Sequence, residues 1–299
     1  MTTVTCVGIA VQDLIFSLQT LPTGPGKYHA STRTEVGGGV AANAAVAVSR
    51  LGGHSRYVGA LGEDHFGEAI VRDLNAAGVD TDRVRRVNGL ASPLSSIAVG
   101  PRGERLIVNH SDSKLFDQAR AIEDSDLEGS DAVLVDVRWP KGAEAALKWA
   151  AGHGVPGVVD YDVGNRPCQF LLPLASHVVF SADALRDLTG AAKLDDGLRI
   201  VGEGTSAWLG VTEGEEGTYW MEDQTLMRQP AFEVPVVDTT GAGDVYHGAL
   251  ALILSQGTDD MSNAIDFASA AAAITCTVFG GRNGIPTGDE VHAFLAERR

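Results

Sequence analysis

Cysteine and basic residues are scarce in this chain of 299 residues. It has three cysteines, 23 Lys and Arg residues and 39 Asp and Glu residues, which gives a formal net charge of −16. Cys6, Cys168 and Cys276 lie outside any C-x-x-C spacing, which argues against a disulfide framework and against a thiolate metal site. The negative charge, with no stripe of Lys and Arg, argues against a nucleic-acid partner.

Long hydrophobic runs and a basic leading segment are also missing. The first ten residues, MTTVTCVGIA, have no basic n-region, and no window reaches about 18 consecutive apolar residues. We therefore expect neither a signal peptide nor a membrane span, and we expect a cytoplasmic protein. The hydrophobic fraction of 44% is sufficient for a substantial core and excludes general disorder.

Short β-branched runs alternate with helix-like segments along most of the chain. The strand-like runs are 4–10, 132–137, 156–160, 177–180 and 207–211. The helix-like segments are 40–51, 67–77, 142–151, 242–255 and 262–276. This alternation predicts βαβ units and an α/β fold with a mainly parallel, buried sheet.

Two segments interrupt this alternation. Turn signals at 22–26 and 101–103 lie between short strand-like runs, which predicts two hairpins. The hairpins could form a small β-sheet, here called the lid, that covers one end of the main sheet. Edge strands with ordinary surface loops are the alternative. The predicted lid comprises 13–36 and 92–109, and the predicted main domain comprises 1–12, 37–91 and 110–299.

The most informative segment has the sequence DTTGAGD at 238–244 and leads into an apolar helix-like run. Thr240 is suited to cap that helix, and small residues in the first turn leave backbone N–H groups open to an anion. These small residues are Gly241, Ala242 and Gly243. Asp244 follows them and can accept a proton from a hydroxyl that attacks a phosphoryl group held there. The alternative is a plain helix N-terminus whose glycines serve close packing.

A second glycine-rich segment, GGGVAAN at 37–43, opens an alanine-rich helix. Its glycines allow close backbone approach to a ligand, and Asn43 offers an amide to a polar group there. Gly37, Gly39 and Ala42 also fit a relaxed dinucleotide fingerprint, so a dehydrogenase is an alternative. That match follows a hairpin instead of the first core strand, which weakens it. No G-x-x-x-x-G-K-[ST] sequence occurs, which excludes a P-loop enzyme.

With these two segments in this order, the chain resembles the ribokinase-like (PfkB) carbohydrate kinases over essentially its whole length. The resemblance implies a three-layer αβα fold with a mainly parallel central sheet and a small β-sheet lid. It implies ATP and Mg²⁺ as cofactors, with a monovalent cation in some members, and transfer of a phosphoryl group to a sugar hydroxyl. Asp244 would be the base, and the anion hole would be formed by Gly241, Ala242 and Gly243.

The resemblance also implies ligand contacts elsewhere in the chain. Substrate-binding roles fall on Asp13, which would end the first strand, and on Gly38, Gly39 and Asn43. Nucleotide-binding roles fall on Thr212, Gly214, Gly217, Gly281 and Asn283. Many members have an Asn-x-x-Glu motif for metal and phosphates, but this chain has SADA at 181–184, so the metal ligands are not defined and water or Asp183 could substitute. Pairing through the lid would give a homodimer.

Within the family, the chain is similar to the sulfofructose kinases. Lys27, Asn109 and Arg138 fall on the positions that hold the sulfonate in those enzymes. The resemblance therefore implies phosphorylation of 6-deoxy-6-sulfofructose to its 1-phosphate, and charge-assisted donors suit such an anionic end. Separately, Lys27 could be a solvated turn residue, Asn109 a strand-end cap and Arg138 a surface ion-pair partner. A kinase for fructose or fructose 6-phosphate also fits the pattern, as does a non-catalytic sensor of a sugar or nucleotide.

The histidines carry little functional signal. None has a partner at metal-ligand spacing, so a core or surface role is expected for them. His247, one turn after Asp244, could touch the substrate. Asp162 follows a predicted strand and could hydrogen-bond a sugar, with a capped loop as the alternative.

Overall fold

A computed structural model describes residues 1–101, 104–164, 168–222, 225–258 and 260–298. Its strands, in chain order, are β1 (Thr3–Val7), β2 (Val11–Ser17), β3 (Thr32–Gly38), β4 (His54–Val58), β5 (Ala60–Gly62), β6 (Val79–Asp80), β7 (Arg85–Val87), β8 (Leu94–Val99), β9 (Arg105–His110), β10 (Ala132–Asp136), β11 (Gly157–Tyr161), β12 (His177–Ser181), β13 (Trp208–Thr212), β14 (Thr218–Glu222) and β15 (Thr225–Gln229). Its helices are α1 (Val40–Arg50), α2 (His65–Ala76), α3 (Leu115–Gln118), α4 (Asp124–Leu127), α5 (Pro140–His153), α6 (Ala182–Thr189), α7 (Leu194–Gly202), α8 (Ala242–Ser255), α9 (Met261–Thr275) and α10 (Gly288–Ala296).

The main sheet has nine strands in the order β15-β14-β13-β12-β11-β10-β1-β4-β6. The seven strands from β13 to β6 run parallel, and the hairpin of β14 and β15 adds two antiparallel strands at one edge. The central strands β10 and β11 are buried along their whole length, as expected for apolar runs covered on both faces. The predicted α/β fold with a mainly parallel sheet is confirmed.

Alternate residues of the central strands supply two separate hydrophobic cores. Val158 and Val179 belong to a core with α1, α8 and α9, whereas Val159 and Val178 belong to a core with α5, α6 and α7. The sheet is therefore the middle of three layers, since successive side chains point to opposite faces. Helices α1 and α8 approach closely because Gly248 has no side chain; a Cβ there would lie 2.6 Å from the carbonyl oxygen of Ala44.

A separate four-stranded sheet has the order β3-β2-β8-β9. Both predicted hairpins are present, β2 with β3 and β8 with β9, and a parallel pairing of β2 with β8 joins them. This sheet is the lid. Its strands begin and end within two residues of the predicted limits, and the division into domains at those limits remains a proposal. The sequence predicted that Asp13 ends the first core strand. That prediction is wrong, because Asp13 lies inside β2 of the lid.

Helix α8 has the predicted bounds, and the other predicted long helices differ from the observed ones by a few residues at their ends. Within the described ranges, no helix is both long and apolar enough to cross a lipid bilayer.

Candidate active site

The turn before α8 is built around the carboxylate of Asp238. Its Oδ1 accepts hydrogen bonds from the backbone N–H and the hydroxyl of Thr240, at 3.0 and 2.7 Å. Its Oδ2 accepts the N–H of Gly280 at 2.9 Å, and Arg105 of the lid strand β9 forms an ion pair with the carboxylate. The carboxylate thereby joins the lid, the 238–241 turn and the segment after α9. The prediction that Thr240 caps α8 is wrong. Its hydroxyl donates to Asp238, and the capping residue is Gly241.

The first turn of α8 presents free backbone donors. Gly241 has φ 76°, a left-handed conformation that favours glycine. Among the described residues, the N–H groups of Gly241, Gly243 and Asp244 have no hydrogen-bond acceptor, whereas that of Ala242 lies 3.3 Å from the carbonyl oxygen of Thr239. A Cβ at Gly243 would meet nothing within 4 Å, so the space beside these donors is open. An anion can bind there, with Ala242 contributing less than the sequence suggests.

Asp244 is half-buried beside these donors, and it forms a hydrogen bond with Asn43 of α1. The Asn43 Nδ2 amide donates to Asp244 Oδ2 at 2.6 Å. Burial and the negative charge of Asp160 raise the pKa of Asp244 to about 7, although the bond from Asn43 lowers it. A carboxylate with a pKa near neutrality can take up and release a proton under ordinary conditions. Asn43, expected to bind substrate, thus also contacts the carboxylate.

Further carboxylates lie at the carboxyl ends of the central strands, where ligands bind in open α/β sheets. Asp136 of β10 is in register with Asp160 of β11. Asp136 accepts backbone N–H groups from Ile9 and Arg138 at 2.8 Å and from Ala41 at 3.2 Å. Burial raises the pKa of Asp136 to about 6 and that of Asp160 well above its usual value. This edge therefore carries two buried acidic groups with raised pKa values, and that of Asp136 lies close to neutrality.

His247 is 3% exposed and lies behind the first turn of α8. Its Nδ1 is 2.7 Å from the carbonyl oxygen of Gly243 and 3.1 Å from Asp160 Oδ2, and its Nε2 is 3.3 Å from the carbonyl oxygen of Val179. Burial lowers the pKa of His247. The idea that His247 touches the substrate is not supported, because the ring is enclosed by protein groups.

Each glycine of the 37–39 segment makes room for a protein group. A Cβ on Gly37 would fall on the guanidinium of Arg282, and one on Gly38 would fall on the carboxylate of Asp13. Gly39 has φ 93°, and its Cβ would lie 2.6 Å from the carbonyl oxygen of Ile9. Gly38 and Gly39, predicted to bind substrate, therefore bring Asp13 and the segment after β1 close to the start of α1.

The lid places three polar side chains in one row. Asp13 of β2 is in register with Ser95 of β8, which is in register with Asn109 of β9, so the three share a face. Burial raises the pKa of Asp13, and a hydrogen bond from Ser95 lowers it. Asp13 also faces Gly38, so this row reaches the glycine segment.

The three residues assigned to an anionic substrate end are not joined to one another. Lys27 and Asn109 are exposed, and Arg138 has a side chain 28% exposed whose Nη2 is 3.5 Å from Asp162 Oδ2. Within the described part of the chain, no hydrogen bond or ion pair links Lys27, Asn109 and Arg138. Asp162 also accepts a bond from the Ser181 hydroxyl at 2.8 Å, so the loop interpretation of Asp162 accounts for its contacts.

The residues assigned to the nucleotide surround the ends of β13 and α9. Thr212 ends β13, and its hydroxyl donates to the carbonyl oxygen of Phe180 at 3.4 Å. Gly214 and Gly217 lie in the turn that follows, with φ 52° and 96°. Gly281 packs against Thr240, since a Cβ at position 281 would lie 3.4 Å from the carbonyl oxygen of Thr240. The exposed Asn283 side chain donates to the carbonyl oxygen of Phe279 at 3.4 Å.

A magnesium site formed by side chains alone is not present in the described ranges, which hold no group of three or more potential His, Cys, Asp or Glu ligands. In place of the Asn-x-x-Glu motif, Ser181 caps α6 by accepting the N–H of Ala184 at 3.2 Å. Asp183 is 86% exposed and lies 3.7 Å from Arg186. The contacts of these two residues do not indicate a set of protein ligands around a metal ion.

Arg282 is a site residue that the sequence alone did not indicate. Its Nε donates to Asn43 Oδ1 at 2.7 Å, and its Nη2 donates to the carbonyl oxygen of Gly38 at 3.0 Å. Burial lowers its pKa to about 10. Gly281 and Asn283 on either side were assigned to the nucleotide, but no local signal indicated that Arg282 reaches a helix 239 residues earlier. Asp160, the partner of His247, was missed for the same reason.

A three-layer fold with a small separate sheet, and a late helix whose free donors adjoin a carboxylate, define an ATP-dependent phosphotransferase that acts on alcohol groups. The chain belongs to the pfkB family of carbohydrate kinases, whose family model matches residues 1–288. The expected family and enzyme class are confirmed.

Three similar proteins illustrate the relationship. The ATP-dependent ribose-1-phosphate kinase of Halopiger xanaduensis is 31% identical over 292 residues, which are 96% of this chain and 95% of that one. A crystal structure of an Agrobacterium tumefaciens protein provisionally assigned as a ribokinase is 39% identical, with a TM-score of 0.94 and coverage of 99% and 98%. The structure of Arabidopsis thaliana ribokinase complexed with ribose and ATP is 26% identical, with a TM-score of 0.87 and coverage of 98% of both chains. None of these three names a sulfonated sugar.

Proposed function

We propose that this kinase transfers the γ-phosphoryl group of ATP to a hydroxyl of a ketose with an anionic end, specifically O1 of 6-deoxy-6-sulfofructose. Asp244 is the base, and the N–H groups at the start of α8 hold the migrating phosphoryl group. The observation that carries the proposal is the position of Asp244 directly beside unpaired donors, with one oxygen held by Asn43 at 2.6 Å.

Arg138 and Lys27 support an anionic substrate. Arg138 lies at the carboxyl edge of the main sheet, where its partner Asp162 is 3.5 Å away, so donors of its guanidinium are available to a ligand. Lys27 and Asn109 are exposed on the lid and could reach the same ligand when the lid covers the substrate. The relative from Halopiger xanaduensis, named as a ribose-1-phosphate kinase, supports an anionic sugar in this family.

The cofactors are ATP and Mg²⁺. ATP is supported by the Arabidopsis thaliana ribokinase complex. Since Asp183 and Ser181 do not form a cage, we propose that the nucleotide phosphates and water provide most of the ligands of Mg²⁺, as is usual for this ion. Dependence on a monovalent cation stays a prediction.

A homodimer formed through the lid is also part of the proposal. The strand β9 is at the edge of the lid, and its apolar side chains Leu106, Ile107 and Val108 are 39%, 50% and 61% exposed. An edge strand with apolar side chains on both faces favours pairing with another chain. A second copy of this chain would cover it symmetrically.

The direct test is a coupled assay of ADP release with ATP, Mg²⁺ and a panel of sugars. The panel contains 6-deoxy-6-sulfofructose, fructose 6-phosphate, fructose, ribose and ribose 1-phosphate. We expect the highest kcat/KM with the sulfonated ketose. Preference for fructose or ribose would contradict the anionic substrate, and binding of sugar and ATP without turnover of any sugar would identify a sensor.

Replacing Arg138 by alanine is expected to raise the KM for the anionic ketose by about 10- to 100-fold, because one charge-assisted contact is lost. The KM for ATP should be little changed. Steady-state kinetics with the sulfonated ketose and with fructose measure the effect. Lys148→Ala on the exposed face of α5, where Lys148 pairs with Glu144, removes the same charge and is the control. An equal KM change for both sugars would mean that Arg138 does not bind the anionic group.

A further inference from the structure

We infer that Arg282 is a positioning residue that fixes the orientation of Asn43 and, through Asn43, places Asp244 for catalysis. The inference rests on the proposed function, because it concerns the carboxylate that serves there as the base. Arg282 lies in the turn Gly281–Gly284 after α9, and it crosses to the first turns of α1. Among the described residues, no hydrogen bond or ion pair joins Arg282 to Asp244, so Arg282 acts on the carboxylate through Asn43.

The sense of the hydrogen bonds defines the role. A guanidinium has only donors, so the Asn43 atom 2.7 Å from Arg282 Nε must be the acceptor Oδ1. The amide nitrogen of Asn43 then points the other way, toward Asp244 Oδ2 at 2.6 Å. A side-chain amide can otherwise rotate to exchange its donor and acceptor ends. Arg282 removes that freedom and commits the Asn43 NH₂ group to the carboxylate.

The fixed amide leaves one carboxylate oxygen for the substrate. Asn43 occupies Asp244 Oδ2, while Oδ1 has no hydrogen-bond partner among the described residues. If Asn43 turned over, its carbonyl oxygen would face the carboxylate, and two acceptors would oppose each other at close range. Protonation of Asp244 would relieve that contact, because a protonated acid donates to an acceptor. Loss of Arg282 is therefore expected to favour the protonated, inactive form of the base.

Gly37 explains how the guanidinium fits. Arg282 also donates to the carbonyl oxygen of Gly38 at 3.0 Å, which fixes the glycine segment. A Cβ on Gly37 would overlap Arg282 Nη1, so glycine at position 37 keeps the place of the guanidinium free. Because φ at Gly37 is not positive, glycine is required at this position by the contact with Arg282 and not by the backbone conformation.

The charged groups around the pair set the expected pH range. Arg282 faces Asp13, Asp73 and Tyr57, and Asp244 faces Asp160, Asp162 and His247. In the wild type, burial raises the pKa of Asp244 to about 7, so kcat should rise with pH through about 7 as the base deprotonates. The other groups remain when Arg282 alone is replaced.

The experiment compares kcat between about pH 5.5 and 9.5 for the wild type, Arg282→Gln and Arg282→Lys. The acid limb is the part of the profile in which kcat rises with pH. For Arg282→Gln we expect this limb to move to higher pH by about one unit, so that kcat at a pH below the wild-type limb falls about tenfold. At pH 9 the loss should largely disappear, and the KM for ATP should stay within about twofold. Arg282→Lys keeps a cationic donor and should recover part of the shift.

Matched variants separate positioning from structural damage. Arg56→Gln also removes a partly buried arginine that bonds a carboxylate and two carbonyl oxygens, and it should leave the limb unchanged. Gly37→Ala displaces the guanidinium without removing it and should move the limb in the same direction, which keeps a test if Arg282→Gln does not fold. In an Asn43→Ala background, Arg282→Gln should cause no further shift.

The outcomes distinguish the inference from the function. A pH profile that keeps the wild-type limb in both Arg282→Gln and Gly37→Ala would overturn the inference, even if both variants were less stable or slower at every pH. Equal shifts in Arg56→Gln would overturn it as well. Absence of sugar-dependent ADP release by the wild type would instead contradict the proposed function.

Discussion

The Asp244→Asn enzyme is expected to have a kcat about 10²- to 10⁴-fold below that of the wild type, with KM values little changed. Asparagine has nearly the same shape, and its side-chain oxygen can still accept the hydrogen bond that Asn43 donates at 2.6 Å. It cannot take a proton from the attacking hydroxyl, so the transferred group and the sugar would be held without activation of the nucleophile. ADP release measures kcat, and calorimetry measures binding of sugar and ATP.

Asp117→Asn is the control for this substitution. Asp117 is an exposed acid of α3 that pairs with Lys141 at 3.2 Å, so the variant loses the same charge outside the candidate site. Its kcat should equal that of the wild type. A kcat of Asp244→Asn within tenfold of the wild type would show that another group accepts the proton. Unchanged binding with a lost kcat would argue against a sensor, whose function needs binding alone.

Local sequence signals predicted the elements in which the candidate site lies. The DTTGAGD segment placed the start of α8 and Asp244 correctly because glycine, a small first turn and a long apolar run all act within a few residues. Turn signals at 22–26 and 101–103 likewise predicted the lid hairpins. The alternation of apolar runs and helices predicted the parallel sheet, since burial on both faces requires such runs.

Contacts between distant segments could not be predicted in the same way. Asn43 and Asp244 are 201 residues apart, and Arg282 and Asn43 are 239 residues apart. The glycines of 37–39 looked like room for a ligand, whereas two of them make room for the side chains of Arg282 and Asp13. Thr240 looked like a helix cap because its type is suitable, but Asp238 offers its hydroxyl a competing acceptor at 2.7 Å.

Replacing His247 by alanine is expected to lower the free energy of unfolding by about 2–5 kcal/mol, because buried polar groups lose a hydrogen-bond partner and a large buried side chain is removed. The ring is 3% exposed, and it contacts Asp160 at 3.1 Å and the carbonyl oxygen of Gly243 at 2.7 Å. Without it, the carboxyl group of Asp160 stays buried without this partner, and a cavity remains behind the first turn of α8. Urea unfolding followed by fluorescence or circular dichroism measures the change.

A double-mutant cycle separates the energy of the His247–Asp160 interaction from the cost of the cavity. Asp160→Asn keeps the volume of Asp160 and removes its ability to ionise, so it should destabilise less than His247→Ala. If the two residues act as a pair, the double variant should be clearly less destabilised than the sum of the single ones. A loss below about 1 kcal/mol for His247→Ala would mean that Asp160 finds another partner or stays protonated at little cost, since burial already raises its pKa. Because the ring does not reach the cleft, the folded fraction of His247→Ala should keep the KM for sugar, and a large rise in that KM would instead place the imidazole against the substrate.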